Sequence, residues 1–337
     1  MANERKEEET KCSIDPYEHL SIVLNPDGTL TRLKTLDKVE AVSDTKTAAS
    51  ASVSGRNVLS KDVTLNAERN TWVRIFRPVS PHANDQTVVG LPLIIYFHGG
   101  NWVLNSADTI FCHDFCECFA RIGPAVIISV NFRLPPEHRL PAAYEDAEDA
   151  LVWVKNQAII PNGDPWLRNF ADFSRCFLAG WSTGGNIAFH ARLRSLDLDL
   201  KPLKIVGTVL DQPVFGGTQR TRSEKKYAND QILPLKVTDL MWELALPIGA
   251  NRDHQYCNPM LDANLSNKVG SIGKVLVRGY GGEVTIDRQL QLVEKLLQRG
   301  VKVEARFDDV GFHGIDLIDP RRAMNTLDIA KHFMLNC

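Results

Sequence analysis

Residues 177–186 read FLAGWSTGGN, a short apolar run followed by a G-x-S-x-G pattern in which Gly180 and Gly184 flank Ser182. A buried strand leading into that pattern and a helix leading out of it would bend the chain sharply at the serine. In such a bend the hydroxyl is pushed into a cleft, and small residues on either side let strand and helix approach closely. The start of the following helix also favours developing negative charge. The pentapeptide by itself is weak, because small residues are common at turns; its weight comes from its flanks.

Working outward, strand and helix patterns alternate. Residues 63–66 and 72–77 predict a β-pair, and LPLIIYF (91–97) and AVIISVNF (125–132) predict buried central strands. Helical spacing covers 109–122, 142–157 and 184–195, with strands at 177–181 and 205–212. A strand at 274–279, a helix at 286–298, a strand at 301–307 and a helix at 322–335 complete the series. This order predicts an α/β fold: a mostly parallel central sheet with helices on both faces. Residues 215–258 break the alternation and carry a helix of their own. They read as an insertion over the C-terminal edge of the sheet, where open α/β sheets bind ligands. Residues 1–57 read as a tail and lid arm, with a turn at 25–28, a short strand near 29–33 and a small, polar connector at 41–57. The expected organisation is that arm, then one domain over 58–337, with the insertion and the arm forming a helical cap.

Composition removes several classes. Lys plus Arg number 39 against 41 Asp plus Glu, a net charge of −2, and no basic run is present, so nucleic acid is not an expected partner. The first residues are charged, unlike a secretory signal, and the apolar runs are strand-sized, so a cytoplasmic protein without a membrane span is expected. The seven cysteines are odd in number and scattered, which reads as reduced thiols. CHDFCEC (112–118) could suggest zinc, but a second liganding half is missing and Cys112 and Cys116 at helical spacing suit a core face. The sequon at Asn264 carries no expectation of glycosylation in that compartment.

A serine nucleophile requires a base and a carboxylate to orient it, in the chain order serine, acid, histidine for this kind of sheet. Downstream of Ser182 stand His190, His254, His313 and His332. Of these His313 lies in a glycine-flanked loop, VGFHG, just after the last strand, so it is the expected base. Glu283 falls in the loop after strand 274–279, while Asp287, one helical turn later, suits a capping role; position favours Glu283. Upstream, His98-Gly99-Gly100 follows strand 91–97. The N–H groups of Gly99, Gly100 and Thr183 are then the expected oxyanion hole, with His98 bracing the turn.

With these residues assembled, the chain resembles the plant carboxylesterases of the α/β-hydrolase fold, a group akin to hormone-sensitive lipase that includes the gibberellin receptors. The likeness runs through DPYEHLSIVLNPDGTLTR, YFHGGNW, NFRLPPEHRLPAAYEDAEDAL, FLAGWSTGGNIAFHA, MWELALPIGANRDHQYCNP and IDRQLQLVEKLLQRGVKVEARFDDVGFHGIDLIDP. It implies an N-terminal helical lid over a pocket, a triad of Ser182, His313 and an acid, and an oxyanion hole from Gly99, Gly100 and Thr183. Three positions depart from the family's usual pattern: Asn101 replaces a third glycine, Trp181 an aspartate, and Glu283 an aspartate.

The expected function is a serine carboxylesterase acting through an acyl-enzyme on a small-molecule ester of a plant secondary metabolite, such as an acetyl or methyl ester of an alkaloid. No metal or organic cofactor is required, and a monomer or homodimer suffices. Trp102, Phe215, Met241 and Trp242 are expected to line the substrate pocket. Two alternatives stay open: an eliminase or cyclase of the same fold, and a non-catalytic receptor, against which His313 counts.

Overall fold

The computed structural model describes residues 14–43, 58–79, 89–261 and 268–337. The chain opens with α1 (Pro16–Leu20), started by Pro16 and by Asp15, whose carboxylate accepts from the N–H groups of Tyr17 and Glu18. β1 (Ile22–Leu24) and β2 (Leu30–Arg32) pair antiparallel around the expected turn, closed by Gly28 N donating to Asn25 O. Next come β3 (Val58–Asn66), β4 (Thr71–Pro78), β5 (Leu91–Phe97), α2 (Ile110–Ile122), β6 (Val126–Asn131) and α3 (Ala142–Ile159). They are followed by α4 (Pro165–Phe170), β7 (Ala171–Trp181), α5 (Thr183–Arg194) and β8 (Ile205–Asp211). After β8 come α6 (Arg222–Lys226) and α7 (Leu235–Ala245), then β9 (Lys274–Tyr280), α8 (Ile286–Gln298), β10 (Val303–Asp308) and α9 (Pro320–Leu335).

Eight strands form one sheet in the order β10-β9-β8-β7-β5-β6-β4-β3. From β10 to β6 every neighbouring pair is parallel, and β4 and β3 add antiparallel at one edge. The central strands β5, β6 and β7 carry continuous rather than alternating hydrophobicity because helices cover both faces. One core cluster joins the sheet to α3, α5 and α7; a second joins it to α2 and α9. This is the architecture the alternation predicts.

The segment between β8 and β9 carries α6 and α7, and α1 of the N-terminal arm packs on α7. His19 Nε2 of α1 reaches Ile232 O at 3.1 Å, so arm and insertion are tied together. Helices α1 and α4, five and six residues long, lie beyond the reach of periodicity, and β7 starts six residues before the predicted 177 because its first residues pair with β5 through backbone alone. Most of the connector at 41–57, the tail through residue 13 and the sequon lie outside the described residues. CHDFCEC belongs to α2, where Cys112 and Cys116 are buried; burial pushes the Cys116 thiol up to about 12. Those thiols stand apart from the group in this motif whose possible ligand atoms do converge, His113, Asp114 and Glu117, and His113 Nδ1 accepts from Arg74 at 3.1 Å.

Candidate active site

β7 delivers Ser182 to a bend at φ 56°, ψ −121°, a conformation costing an L-residue about 1–3 kcal/mol. Surrounding backbone holds it there: Ser182 N donates to Asp211 O at 2.9 Å, and Gly185 N and Val214 N donate to Ser182 O at 3.0 and 3.1 Å. The packing is backbone on backbone. A Cβ on Gly180 would lie 2.1 Å from Gly184 O, and one on Gly184 would lie 2.0 Å from Phe97 O, so any side chain would prise α5 off β7 and β5.

The loop after β10 brings His313 to this bend, with Nε2 at 2.9 Å from Ser182 Oγ. Its Nδ1 lies 2.7 Å from Glu283 Oε2. A carboxylate can only accept, so Nδ1 carries the proton and Nε2 presents a lone pair to the serine hydroxyl. Glu283 is fully buried, His313 4% and Ser182 1% exposed, so the chain of three is shielded from bulk water. Both Glu283 oxygens are fixed: Oε1 accepts from Tyr280 N at 2.8 Å, and Oε2 also accepts from Thr285 Oγ1 at 2.9 Å. Asp287 is elsewhere; its carboxylate accepts from Ser223 N at 2.7 Å and stitches α6 to α8.

The other downstream histidines are engaged in structure. His190 is buried and stacked on Tyr144 at 4.6 Å, and burial pushes it down to about 3. His254 Nδ1 accepts from Tyr256 N, and His332 Nδ1 donates to Asp328 O on the surface of α9. Upstream, His98 donates from Nδ1 to Gly99 O at 2.8 Å and stacks on Phe132 at 4.4 Å; burial pushes it down to about 4, a neutral brace.

Gly99 and Gly100 follow β5 directly. Gly99 lies against Trp181, and Gly100 takes φ 132°, where a Cβ would meet Leu104 O at 2.3 Å. Thr183 is the first residue of α5. Asn101 and Trp102 continue the turn at φ 54° and 66°. Trp102 is buried and lies 5.5 Å from Trp242 between ring centroids, and neither indole N–H finds a partner among the described residues. Met241 is buried in the same cluster, while Phe215 packs edge-on against Phe189 at 5.6 Å, behind the elbow helix.

Sequence reasoning passes over the support of the histidine loop. Gln212, itself at φ 47°, accepts Gly314 N at 2.8 Å on Oε1 and donates to Asp316 at 2.7 Å from Nε2. Asp316 in turn accepts from Arg278 at 2.9 Å and from Tyr280 OH at 2.6 Å. Arg278 also holds Asp211, whose carboxyl burial pushes up to about 6 against that attraction, with Asp316 on the same guanidinium adding to the rise. The only signal in the sequence is a polar pair, Asp211-Gln212, closing an otherwise apolar strand.

The family description for the alpha/beta hydrolase fold matches residues 94–317. Probable carboxylesterase 9 of Arabidopsis thaliana is 49% identical over 323 residues, covering 96% of this chain and 98% of its own. The 3-O-acetylpapaveroxine carboxylesterase CXE1 of Papaver somniferum is 45% identical over 328 residues, covering 96% and 98%. Among solved structures, the esterase LipW of Mycobacterium marinum superposes with a TM-score of 0.70 at 24% identity, over 86% of this chain and 85% of that one, a likeness of fold. The chain belongs to the alpha/beta hydrolase fold family, as one of its carboxylic ester hydrolases.

Proposed function

We propose that the protein is a serine esterase in which Ser182 is the nucleophile, His313 the base and Glu283 the orienting acid, working through an acyl-enzyme. The observation that carries this reading is the unbroken chain from Ser182 Oγ to His313 Nε2 at 2.9 Å and from His313 Nδ1 to Glu283 at 2.7 Å. Ser182 Oγ attacks the ester carbonyl as its proton passes to Nε2, and Glu283 stabilises the imidazolium that results. The carbonyl electron pair moves onto oxygen, where N–H groups of Gly99, Gly100 and Thr183 receive it. Collapse breaks the bond to the alcohol, which leaves with the proton from Nε2. Water then attacks the acyl-enzyme by the same route and frees the acid.

The substrate class is an ester of a plant secondary metabolite, with an acetyl ester of an alkaloid favoured by the 45% identity to a carboxylesterase named for 3-O-acetylpapaveroxine. The N-terminal arm and residues 215–258 act as the cap; the packing of α1 on α7 and the approach of Ile232 to Gly314 support this. Trp102 and Trp242 line the pocket and offer their unpartnered N–H groups to it.

Intact-mass detection of a fluorophosphonate adduct, with p-nitrophenyl acetate hydrolysis alongside, tests the reading. One adduct at Ser182 is expected, lost in Ser182→Ala and strongly slowed in His313→Ala. Labelling of His313→Ala at the unmodified rate would overturn it.

A further inference from the structure

Trp181, which stands where an aspartate is usual, is wedged between the two loops that meet at Ser182. Its indole lies nearly parallel to the His313 imidazole, with ring centroids 5.8 Å apart and planes inclined by 20°. One edge abuts the oxyanion side: a Cβ on Gly99 would lie 2.5 Å from Trp181 Cε3. The opposite edge reaches the histidine loop, where a Cβ on Gly314 would lie 3.4 Å from Cζ2. The ring is therefore a spacer between the turn after β5 and the loop after β10, with its π-face turned to the group that becomes cationic during the reaction.

We propose that Trp181 is a positioning residue for ester hydrolysis, holding the His313 ring parallel to its own and stabilising the imidazolium through its π-face as Ser182 attacks. The proposal rests on the reading of Ser182 and His313 as nucleophile and base. A cation within about 6 Å of an indole centroid is attracted by the ring quadrupole, most strongly where water is partly excluded. An aspartate at this position would lend full charge but no surface. Here Glu283 supplies the charge at Nδ1, on the edge of the imidazole, and Trp181 supplies the face.

The charged and titratable groups around His313 are Glu283 in direct contact and Asp211, Arg278, Tyr280 and Asp316 behind its loop, with His98 across the nucleophile strand. None of these groups is removed by substitution at Trp181, and Leu, Met and Phe alike shorten the side chain beside Asp211 and Arg278, so a limb that moves in Leu and Met but not in Phe isolates the ring face. Losing the π-face has two consequences of opposite appearance. The plateau of kcat/KM falls, because the transition-state imidazolium is less stable. The acid limb moves to lower pH, because the resting imidazolium is less stable too. A purely mechanical defect lowers the plateau and leaves the limb in place.

The experiment compares full-length Trp181→Leu, Trp181→Met and Trp181→Phe, measuring p-nitrophenyl acetate hydrolysis across pH and counting active sites with a fluorophosphonate. For Leu and Met we expect kcat/KM lower by about 5- to 30-fold per active site, carried mainly by kcat, with the acid limb displaced downward. Phe, which keeps a ring face, should remain near the unsubstituted enzyme in both. The Met variant keeps the test open if Leu fails to fold. An unmoved acid limb in Leu and Met, or a loss in Phe equal to theirs, overturns the proposal. Survival of hydrolysis in Ser182→Ala would instead sink the esterase reading beneath it.

Discussion

Replacing Glu283 by glutamine changes one oxygen for an NH2 group and leaves the volume alone, so its effect follows from hydrogen-bond bookkeeping. The carboxylate accepts three bonds: from Tyr280 N on one oxygen, and from Thr285 Oγ1 and His313 Nδ1 on the other. The amide can be seated in two ways. With its nitrogen facing Tyr280 N, two donors confront each other in a fully buried site, at a cost of about 1–3 kcal/mol for the unmet backbone group. With its nitrogen facing His313, the Thr285 hydroxyl can turn, and the imidazole can shift its proton from Nδ1 to Nε2. The second seating is cheaper, and it disables catalysis, because Nε2 then has no lone pair for the Ser182 proton. The same tautomer reversal in a serine protease lowers kcat by about 10⁴, and a loss of that order is expected here. Steady-state hydrolysis of p-nitrophenyl acetate at neutral pH gives the number, and a melting temperature near that of the unsubstituted protein confirms that the fold survives. Asp287→Asn is the control: an amide oxygen still accepts from Ser223 N, so activity should hold. A near-normal Glu283→Gln together with a dead Asp287→Asn would refute the reasoning and exchange the two acids.

Acid should destabilise the fold through two buried histidines far from water. His98 is held down to about 4 and His190 to about 3, both by burial, so below about 6.5 the unfolded chain binds more protons than the folded one and stability falls with pH. A proton bound by the unfolded chain alone is worth about 1.36 kcal/mol for every pH step of one, so each histidine costs about 2 kcal/mol between about pH 8 and pH 5. Denaturant unfolding across that range reads the loss; His190→Gln should flatten the dependence, and an identical slope would count against it. Gly184→Ala puts a methyl group 2.0 Å from Phe97 O and should lower the melting temperature and abolish hydrolysis, whereas a fully active, equally stable variant would contradict the backbone packing at the elbow. Gln212→Ala frees the buried Gly314 N and loosens the histidine loop, so kcat should fall by about 10²-fold with KM little changed; an effect on KM alone would point to the pocket instead.

What could be read from the chain follows from how local each signal is. Ser182 was legible because a buried strand, a glycine-flanked bend and a helix are consecutive in the sequence. The structure brings His313 to it across 131 positions, and the signal that marks this histidine in the sequence is its glycine-flanked loop after the final strand rather than any contact. The choice between Glu283 and Asp287 turned on a single helical turn, the distance between a loop end and a helix start. Periodicity failed for α1 and α4, five and six residues long, although each carries an Asp-Pro start whose aspartate caps the first turn.

The support of the site was hidden for a different reason. Gln212 and Asp316 stand 104 positions apart, and nothing in either neighbourhood states that a side chain will bridge strand end and loop. Trp181 is the intermediate case. As a departure from the usual aspartate it was visible at once, but its bulk had no sign attached until Gly99, Gly314 and the His313 ring were found against it. A large residue beside a nucleophile obstructs a site when it points into the cleft. Here it lies at the C-terminal end of β7, packed on the second core cluster and flush with the imidazole, so the same volume that threatened the cleft sets the spacing of the loops that form it.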